Sequence, residues 1–278
     1  MTLPRKVTVV GAGTMGAGIA RIFADGEAEV RLNARRQQSL DAARERAGEA
    51  VHMTTDLEEA LTGADLVVET IVEEVEPKRA VLARAEELAA PEAILTTNTS
   101  SLSVDEVGGT LERPGRFAGL HFLNPPELVQ VVEVVGGGRT APATLETLRA
   151  WMEEVGKAPV VVRLDVPGFV VNRLQYALLR EAYALVDAGV CSFEDVDRAV
   201  TAGLGARWAA IGPFQTMDLA GLEVHTAVAE NLWPELATTS RPSRSIEAAR
   251  ARGSIRSDFD AEELKARRDR VLRLLREA

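Results

Sequence analysis

The sequence predicts an α/β fold in which a mainly parallel sheet domain is followed by an all-helical C-terminal domain. Through the first 166 residues, short apolar runs alternate with helix-like stretches, which is the pattern of a parallel sheet covered by helices on both faces. From Val170 onward helical periodicity dominates, and no convincing strand follows. We therefore expect one domain over residues 1–166 and a second over residues 167–278, with the boundary in the segment Val166–Gly168.

Seven apolar runs are the predicted strands of the first domain. In chain order they are KVTVV, EVRLN, ADLVVE, AILTTN, RFAGLHF, LVQVVEVV and APVVVRL. Helical patterns lie between several of them, over Glu58–Thr62, Pro77–Ala90 and Ala143–Val155. The stretch from Arg36 to Thr54 has room for a single helix and a short strand.

Three helices are predicted in the second domain. VVNRLQYALLREAYALVDAG has the pattern of one long amphipathic helix that Gly189 ends. SFEDVDRAVTAGLG begins with a serine N-cap and acidic residues in its first turn. DAEELKARRDRVLRLLREA is typical of an amphipathic helix whose charges form a solvated face.

The composition limits the classes of function. The chain of 278 residues has a formal net charge of −10, which argues against nucleic acid as a partner. No run of about 18 apolar residues occurs, so no membrane-spanning helix is expected. Cys191 is the single cysteine, and no signal-peptide pattern is present, which together favour a cytoplasmic location. No group of histidine, cysteine and acidic residues has metal-ligand spacing, so no metal is expected.

A glycine-rich turn follows the first predicted strand, in VTVVGAGTMGAGIARIFA. Gly11 permits a tight turn, Gly13 lets the backbone approach a pyrophosphate, and Gly16 allows close packing of helix and strand. The N–H groups at the start of the following helix favour an anion. The turn therefore predicts a dinucleotide site, with Thr14 and Met15 also among its contacts.

The end of the second predicted strand departs from the usual NAD-binding pattern. An acidic residue ordinarily holds the ribose there, whereas this chain has Ala34, Arg35 and Arg36. Arginine can pair with a 2′-phosphate, and alanine removes the carboxylate that would repel it. The stretch therefore favours NADP(H). The alternative is NAD(H), with Arg35 and Arg36 as ordinary surface residues.

His121 and Glu133 form a candidate catalytic pair. His121 ends a strand in GLHFLNPP, where open α/β sheets place their ligands, and Glu133 lies in the apolar run LVQVVEVV. A buried carboxylate needs a partner, and an imidazole would satisfy it while the carboxylate fixes the ring tautomer. The other ring nitrogen could then exchange a proton with an alcohol or carbonyl. Alternatively, His121 is structural and Glu133 faces solvent.

Two further polar segments are candidates for the substrate cleft. TTNTSS (Thr96–Ser101) ends another strand at the same predicted edge, where its hydroxyls and amide could bind a substrate oxygen; the alternative is that Ser101 or Ser103 caps the next helix. Asn172 stands early in the first helix of the second domain, where asparagine is an unfavourable helix residue. A polar role facing the cleft and a local capping bond are both open for Asn172.

Taken in order, these motifs resemble the 3-hydroxyacyl-CoA dehydrogenase family. The matching pieces are GAGTMGAGIA, DLVVETIVEE, TNTSSL, GLHFLNPP, VVEVV, PGFVVNRL and IGPFQTMDLAGLE. The resemblance implies a Rossmann-type domain followed by a helical domain that forms a homodimer. It implies that His121 is the catalytic acid and base and that Glu133 orients it. By the same resemblance Ser100, Asn98 and Asn172 belong to the cleft, Asn98 also counting among the cofactor-binding residues, and Glu73 and Lys78 lie near the cofactor.

The chain also departs from the family pattern. NPPELVQVVEVV and RDRVLRLL look similar to the carnitine dehydrogenase and lambda-crystallin branch, which acts on free hydroxy acids. The stretch from Arg36 to Thr54 is too short for the helical hairpin that holds the CoA nucleotide in family members. The KxGxGFY stretch expected near the C-terminus is replaced by ARGSIRSDF (Ala251–Phe259).

The sequence thus predicts an NAD(P)-dependent oxidoreductase that interconverts 3-hydroxyacyl and 3-ketoacyl groups. The partner is a small-molecule or carrier-bound acyl substrate. The first alternative is that the substrate is bound to an acyl carrier protein, or is a free hydroxy acid, rather than a CoA ester. A non-catalytic, crystallin-like nucleotide-binding protein is the second alternative. A 6-phosphogluconate-type dehydrogenase lacks support, because its lysine motif is not apparent after PGF.

Overall fold

The structure is a computed structural model, and it describes residues 3–255 and 260–277. One sheet of eight strands forms the centre of the first part of the chain. The strands are β1 (Lys6–Val10), β2 (Glu29–Asn33), β3 (His52–Thr54), β4 (Leu66–Glu69), β5 (Ile94–Thr97), β6 (Phe117–Phe122), β7 (Val131–Val135) and β8 (Ala158–Val162). All seven predicted runs contain a strand, and β3 is the short strand expected before Thr54.

The strand order is β3-β2-β1-β4-β5-β6-β7-β8. All neighbouring strands pair in parallel except β6 and β7, which are antiparallel. The carboxyl ends of β1, β4, β5 and β6 therefore meet at one edge of the sheet. The antiparallel pairing of β6 and β7 places His121 directly opposite Glu133.

In the part of the chain that the structure describes, six α-helices accompany the sheet. They are α1 (Thr14–Asp25), α2 (Gln37–Ala47), α3 (Leu57–Leu61), α4 (Val75–Leu88), α5 (Val104–Val107) and α6 (Pro142–Glu154). The predicted helices correspond to α3, α4 and α6 within two residues at each end, and α2 is the single helix expected after Arg36. Helix α5 is the helix expected after TTNTSS, and its N-cap is Ser103, one of the two candidates. Its bounds were not predicted, because four residues are too short to show helical periodicity.

Alternation along the strands divides the core into two clusters. Leu66 and Val68 of β4 pack with residues of α1, α2 and α6, whereas Val67 packs with residues of α3, α4 and α5. Successive side chains of a strand point to opposite faces, so the sheet is covered on both sides. This is the layered α/β arrangement that the sequence predicts, and that prediction is confirmed.

The second part of the chain is helical. Its helices are α7 (Val171–Asp187), α8 (Phe193–Arg198), α9 (Ala206–Trp208), α10 (Pro213–Ala220), α11 (Leu222–Leu232), α12 (Arg244–Arg252) and α13 (Ala261–Glu277), with a π-helical segment over Ala199–Gly205. Gly189 follows α7 with φ of 71°, and Ser192 begins α8 with a capping box to Asp195. None of the helices in the described ranges combines the length and hydropathy that a bilayer crossing needs.

The chain divides into two compact units, Met1–Arg173 and Leu174–Ala278. Helix α7 thus begins three residues before this division. The domain boundary near residue 166, inferred from the change in sequence pattern, stays a prediction. Part of the altered stretch Ala251–Phe259, namely residues 256–259, lies outside the described residues.

Candidate active site

The glycine turn connects β1 to α1. Gly11 has φ of 116°, a conformation that side chains rarely adopt, and a Cβ on Gly16 would lie 1.7 Å from the Gly11 carbonyl oxygen. The Thr70 hydroxyl, just after β4, donates to that same oxygen at 2.9 Å. Gly11 and Gly16 are therefore required by the protein's own packing. Sequence analysis did not single out Thr70, because a threonine after a strand has no distinctive signal.

Gly13 has a different environment. A Cβ at this position would meet no protein atom within 4 Å, so packing within the chain does not require a glycine there. Gly13 is exposed and precedes α1, which has no side-chain N-cap bond and no acidic residue in its first turn. Thr14 is exposed beside it, and Met15 is half-buried. This open helix N-terminus fits the pyrophosphate of a dinucleotide.

The end of β2 presents cations at the same edge of the sheet. Ala34 is buried, whereas Arg35 and Arg36 are exposed. In the part of the chain that the structure describes, neither arginine side chain makes a hydrogen bond or ion pair. Arg36 is also the N-cap residue of α2, which has no side-chain cap bond and no acidic residue in its first turn. Two free guanidinium groups and an uncapped helix N-terminus therefore lie together.

His121 and Glu133 are both buried and form a hydrogen bond. Nδ1 of His121 lies 2.7 Å from Oε2 of Glu133, and the residues are 4% and 0% exposed. An ionised carboxylate can only accept, so Nδ1 carries a proton, and in the neutral imidazole Nε2 is the nitrogen with the lone pair. The ring of Phe169 stands edge-on to the imidazole, with 5.6 Å between ring centroids. Phe169 was not predicted as a site residue.

The second oxygen of Glu133 accepts from the start of α7. Oε1 takes hydrogen bonds from the backbone N–H groups of Val170 at 2.7 Å and Val171 at 3.0 Å. Burial raises the pKa of Glu133, but the hydrogen bonds from His121, Val171 and Val170 outweigh it and hold the pKa below its ordinary value. Glu133 is therefore ionised at neutral pH and fixes the imidazole.

The loop after β5 carries Ser100, which is exposed. Asn98 accepts from the backbone N–H of Phe122 at 2.8 Å, so it joins the ends of β5 and β6 next to His121. The Asn172 amide nitrogen donates to the carbonyl oxygen of Ser100 at 3.3 Å. Asn172 does not cap its own helix through this bond. The three polar cleft candidates are thus connected to one another or to the His121 strand.

Glu73 binds the loop after β5, and Lys78 in turn binds Glu73. Oε1 of Glu73 accepts from Thr99 Oγ1 at 2.6 Å and from the N–H groups of Ser100 and Ser101. Lys78 is 1% exposed, and its ammonium is bound by Glu69 at 2.8 Å and by Glu73 at 3.3 Å. The place of Glu73 and Lys78 in cofactor binding stays a prediction. Sequence analysis did not single out Glu69, which ends the apolar run ADLVVE, although a carboxylate within an apolar run is the signal that identified Glu133.

The pKa of Glu73 gives a prediction about stability. Burial alone would raise this pKa, but hydrogen bonds from Thr99 and Ser100 and the charge of Lys78 lower it from 4.5 to about 2. The ionised carboxylate therefore stabilises the folded chain above pH 4.5, and this contribution is lost as the pH falls from about 4.5 towards 2. We expect the thermal midpoint of the wild type to exceed that of Glu73→Gln at pH 7, with the difference shrinking below pH 4.5. A difference that is constant between neutral and acidic pH would contradict this assignment.

The fold and these residues define a class of protein, the dinucleotide-dependent dehydrogenases. A turn suited to a pyrophosphate and a buried imidazole–carboxylate pair occur on one sheet domain. Two family models match the chain. The model described as 3-hydroxyacyl-CoA dehydrogenase, NAD binding domain, matches residues 6–53 and 44–166, and the corresponding C-terminal domain matches residues 168–256. The chain belongs to the 3-hydroxyacyl-CoA dehydrogenase family. It is an NAD(P)-dependent oxidoreductase that acts on a CH–OH group.

Three kinds of relative illustrate the range of the family. A 5-formyl-3-hydroxy-2-methylpyridine 4-carboxylate 5-dehydrogenase of Mesorhizobium japonicum is 35% identical over 84% of this chain and 81% of its own length. A 3-hydroxybutyryl-CoA dehydrogenase of Clostridioides difficile is 33% identical, covering 90% and 94%. An L-carnitine dehydrogenase of Streptomyces coelicolor is 36% identical, covering 80% and 76%.

A solved structure matches almost the whole chain. It is that of a 5-formyl-3-hydroxy-2-methylpyridine 4-carboxylic acid 5-dehydrogenase, described as an NAD+-dependent dismutase. The TM-score is 0.91 at 31% identity, covering 99% of this chain and 97% of the other. The structure of a 3-hydroxyacyl-CoA dehydrogenase from Archaeoglobus fulgidus gives a TM-score of 0.77 at 32% identity, covering 98% of both chains. The two structures have nearly equal sequence identity to this chain, 31% and 32%, but their backbones match it to different degrees, with TM-scores of 0.91 and 0.77.

Proposed function

We propose that the protein interconverts a 3-hydroxyacyl and a 3-ketoacyl substrate, with His121 and Glu133 as its acid–base pair. The observation that supports this most directly is the buried hydrogen bond between His121 Nδ1 and Glu133. It leaves Nε2 as the one ring nitrogen able to exchange a proton with substrate. The Asn172 amide donates to the carbonyl oxygen of the exposed Ser100, and Asn172 directly follows Val171, whose backbone N–H donates to Glu133.

The chemistry follows from these positions. The glycine turn at Gly11, Gly13 and Gly16 would hold the dinucleotide, whose nicotinamide would supply a hydride acceptor for oxidation of the alcohol and a hydride donor for reduction of the ketone. In oxidation, the O–H bond breaks and His121 Nε2 takes the proton, while the oxygen forms the new carbonyl bond. The ionised Glu133 stabilises the resulting imidazolium through Nδ1–H. Ser100 and the second N–H of the Asn172 amide position the reacting oxygen.

NADP(H) is the cofactor that we propose. The support is the pair of exposed arginines, Arg35 and Arg36, without partners among the described residues, at the uncapped N-terminus of α2. Asn33 does not compete for the ribose, because its amide donates to the carbonyl of Thr54. A 2′-phosphate would supply the acceptors that the two guanidinium groups lack. The runner-up is NAD(H), which the related dismutase uses.

Two classes of substrate are considered. One is a CoA thioester, and the other is a free acid or an acyl group on a carrier protein. Only α2, of eleven residues, and β3, of three, lie between the end of β2 and Asp56. This leaves no helical hairpin to hold a CoA nucleotide. The relative whose structure matches with a TM-score of 0.91 is named for a pyridine carboxylic acid that bears a formyl group. These two observations favour a free acid, or an acyl group on a carrier protein, as the alternative.

The test is a turnover panel. Acetoacetyl-CoA, an acetoacetyl carrier protein, free 3-hydroxy acids and aromatic aldehyde acids are each measured with both nicotinamide cofactors. We expect turnover of at least one hydroxyacyl or ketoacyl substrate, with NADPH preferred over NADH. Micromolar KM for acetoacetyl-CoA, without gain from a carrier protein, would exclude the free-acid alternative. No turnover together with tight cofactor binding would instead support a non-catalytic nucleotide-binding protein.

We also propose that the protein is a homodimer formed through its helical unit. This unit exposes large apolar side chains, including Phe214 (84%), Leu219 (79%) and Trp233 (67%). Large apolar side chains exposed in number are a feature of surfaces that associate. We expect sedimentation equilibrium to give the mass of two chains and Phe214→Glu to shift the protein towards monomer. A monomeric wild type at micromolar concentration would contradict the proposal.

A cytoplasmic location is proposed on one observation. The chain has Cys191 as its single cysteine, so it contains no internal disulfide that would require an oxidising compartment.

A further inference from the structure

Glu69 is a buried carboxylate that the mechanism above does not use. It is the last residue of β4 and is 0% exposed. Both of its oxygens bind the Lys78 ammonium, at 2.8 and 3.0 Å, and Lys78 itself is 1% exposed. A buried ion pair is weak evidence for stability, because desolvation of both charges opposes their attraction. The pair therefore calls for an explanation beyond stability.

The Lys78 ammonium also reaches a second carboxylate. It lies 3.3 Å from Oε2 of Glu73, which leaves the other oxygen of Glu73 to the loop after β5. That oxygen accepts from Thr99 Oγ1, from the backbone N–H groups of Ser100 and Ser101, and from Ser101 Oγ. Lys78 thus fixes the side chain on which the Ser100 loop is assembled.

Glu69 also fixes the beginning of the same loop. Thr97, the last residue of β5, donates its hydroxyl to Glu69 Oε2 at 2.7 Å. Glu69 and Thr97 are opposite one another in the register of β4 and β5. The loop that follows Thr97 is therefore held by Glu69 in two ways, directly at Thr97 and indirectly through Lys78 and Glu73.

We propose that Glu69 is a positioning residue for Ser100 and acts through Lys78 and Glu73, an inference that rests on the proposed role of Ser100 in substrate binding. Its negative charge holds the ammonium between two carboxylates. Without that charge, Lys78 is drawn to Glu73 alone, and Glu73 no longer keeps its second oxygen on the loop. Ser100 then leaves the position in which it meets the substrate oxygen.

The variant Glu69→Gln tests this by amide hydrogen exchange and by kinetics. We expect the Ser100 and Ser101 amides to exchange about tenfold faster, because their acceptor is displaced. The Val170 and Val171 amides, whose acceptor is Glu133, serve as internal reference and should exchange at the wild-type rate. We expect kcat/KM for substrate to fall by about tenfold to a hundredfold. The ratio of NADPH to NADH use should not change, since the β2 end is untouched.

A double-mutant cycle separates positioning from general loss of stability. If Glu69 acts through Ser100, Glu69→Gln should have a much smaller effect on kcat/KM in a Ser100→Ala background than in the wild type. Multiplicative effects would overturn the proposal, as would unchanged exchange at Ser100 and Ser101. Glu86→Gln is the matched control. Glu86 lies on α4, the helix that carries Lys78, with 12% of its side chain exposed. It faces Arg113 and accepts hydrogen bonds from the backbone N–H groups of Glu112 and Arg113 before β6 begins.

Two further points keep the outcome decisive. If Glu69→Gln does not fold, Thr97→Val removes the hydroxyl contact and retains the ion pair, and a smaller shift in the same amides is expected. Thr8→Val, which removes a buried hydroxyl from β1, is its control.

If the wild type turns over nothing in the substrate panel, the proposed function fails. The exchange measurement still decides whether Glu69 positions the loop.

Discussion

His121→Ala is expected to lower kcat by about a thousandfold, because a positioned general acid or base contributes between a hundredfold and ten-thousandfold. The residue is 4% exposed, and its Nδ1 is held by Glu133, so no other described imidazole shares this position. Cofactor affinity, measured by fluorescence titration, should stay within about twofold, because the glycine turn and the β2 end are untouched.

His52→Ala is the matched control for this change. His52 lies on β3 with more than half of its side chain exposed, and it contacts Glu59 rather than any cleft residue. We expect its kcat to equal that of the wild type. A His121→Ala protein that turns over at a near-normal rate would refute the acid–base mechanism, whatever the substrate.

Replacing both Arg35 and Arg36 with alanine is expected to lower kcat/KM for NADPH by about a hundredfold. A hydrogen bond to a charged group contributes about 1.5–3 kcal/mol, and each 1.4 kcal/mol is a factor of ten. The kcat/KM for NADH should change by less than about threefold, because NADH has no 2′-phosphate for the two arginines to bind. Steady-state kinetics with both cofactors, at one ionic strength, measure the two effects together.

Arg44→Ala provides the control, since Arg44 is an exposed arginine in the last turn of the same helix. Its removal changes the net charge without touching the end of β2, so the NADPH to NADH ratio should be that of the wild type. If the wild type prefers NADH, and the double substitution leaves that preference intact, the cofactor is NAD(H) and the arginines are ordinary surface residues.

The sheet could be predicted because its strands carry the pattern themselves. Runs such as KVTVV and ADLVVE are continuous and apolar, as strands buried on both faces must be. The pairing of His121 with Glu133 could also be anticipated, because a carboxylate inside an apolar strand needs a partner and the chain has three histidines. The bounds of helix α5 could not be predicted, because four residues show no helical periodicity, although Ser103, its N-cap, was one of the two candidates to cap a helix after β5.

The anchoring of the Ser100 loop could not be predicted from the sequence. Lys78 stands in a helix of mixed charge, where lysine is ordinarily exposed, yet it is buried against Glu69. Only the approach of α4 to the ends of β4 and β5 reveals the arrangement. The contact of Phe169 with the imidazole could not be predicted either. Phe169 has a backbone φ of 50°, a conformation that is uncommon for residues other than glycine and that the sequence does not indicate.

The hydrogen bonds from the start of α7 to Glu133 have a consequence for the evolution of this sequence. Oε1 of Glu133 is satisfied by the backbone N–H groups of Val170 and Val171, not by their side chains. Every amino acid except proline supplies the same donor. Substitutions at these two positions can therefore accumulate and change the surroundings of Asn172. The hydrogen bonds that hold Glu133, and with it the tautomer of His121, are retained.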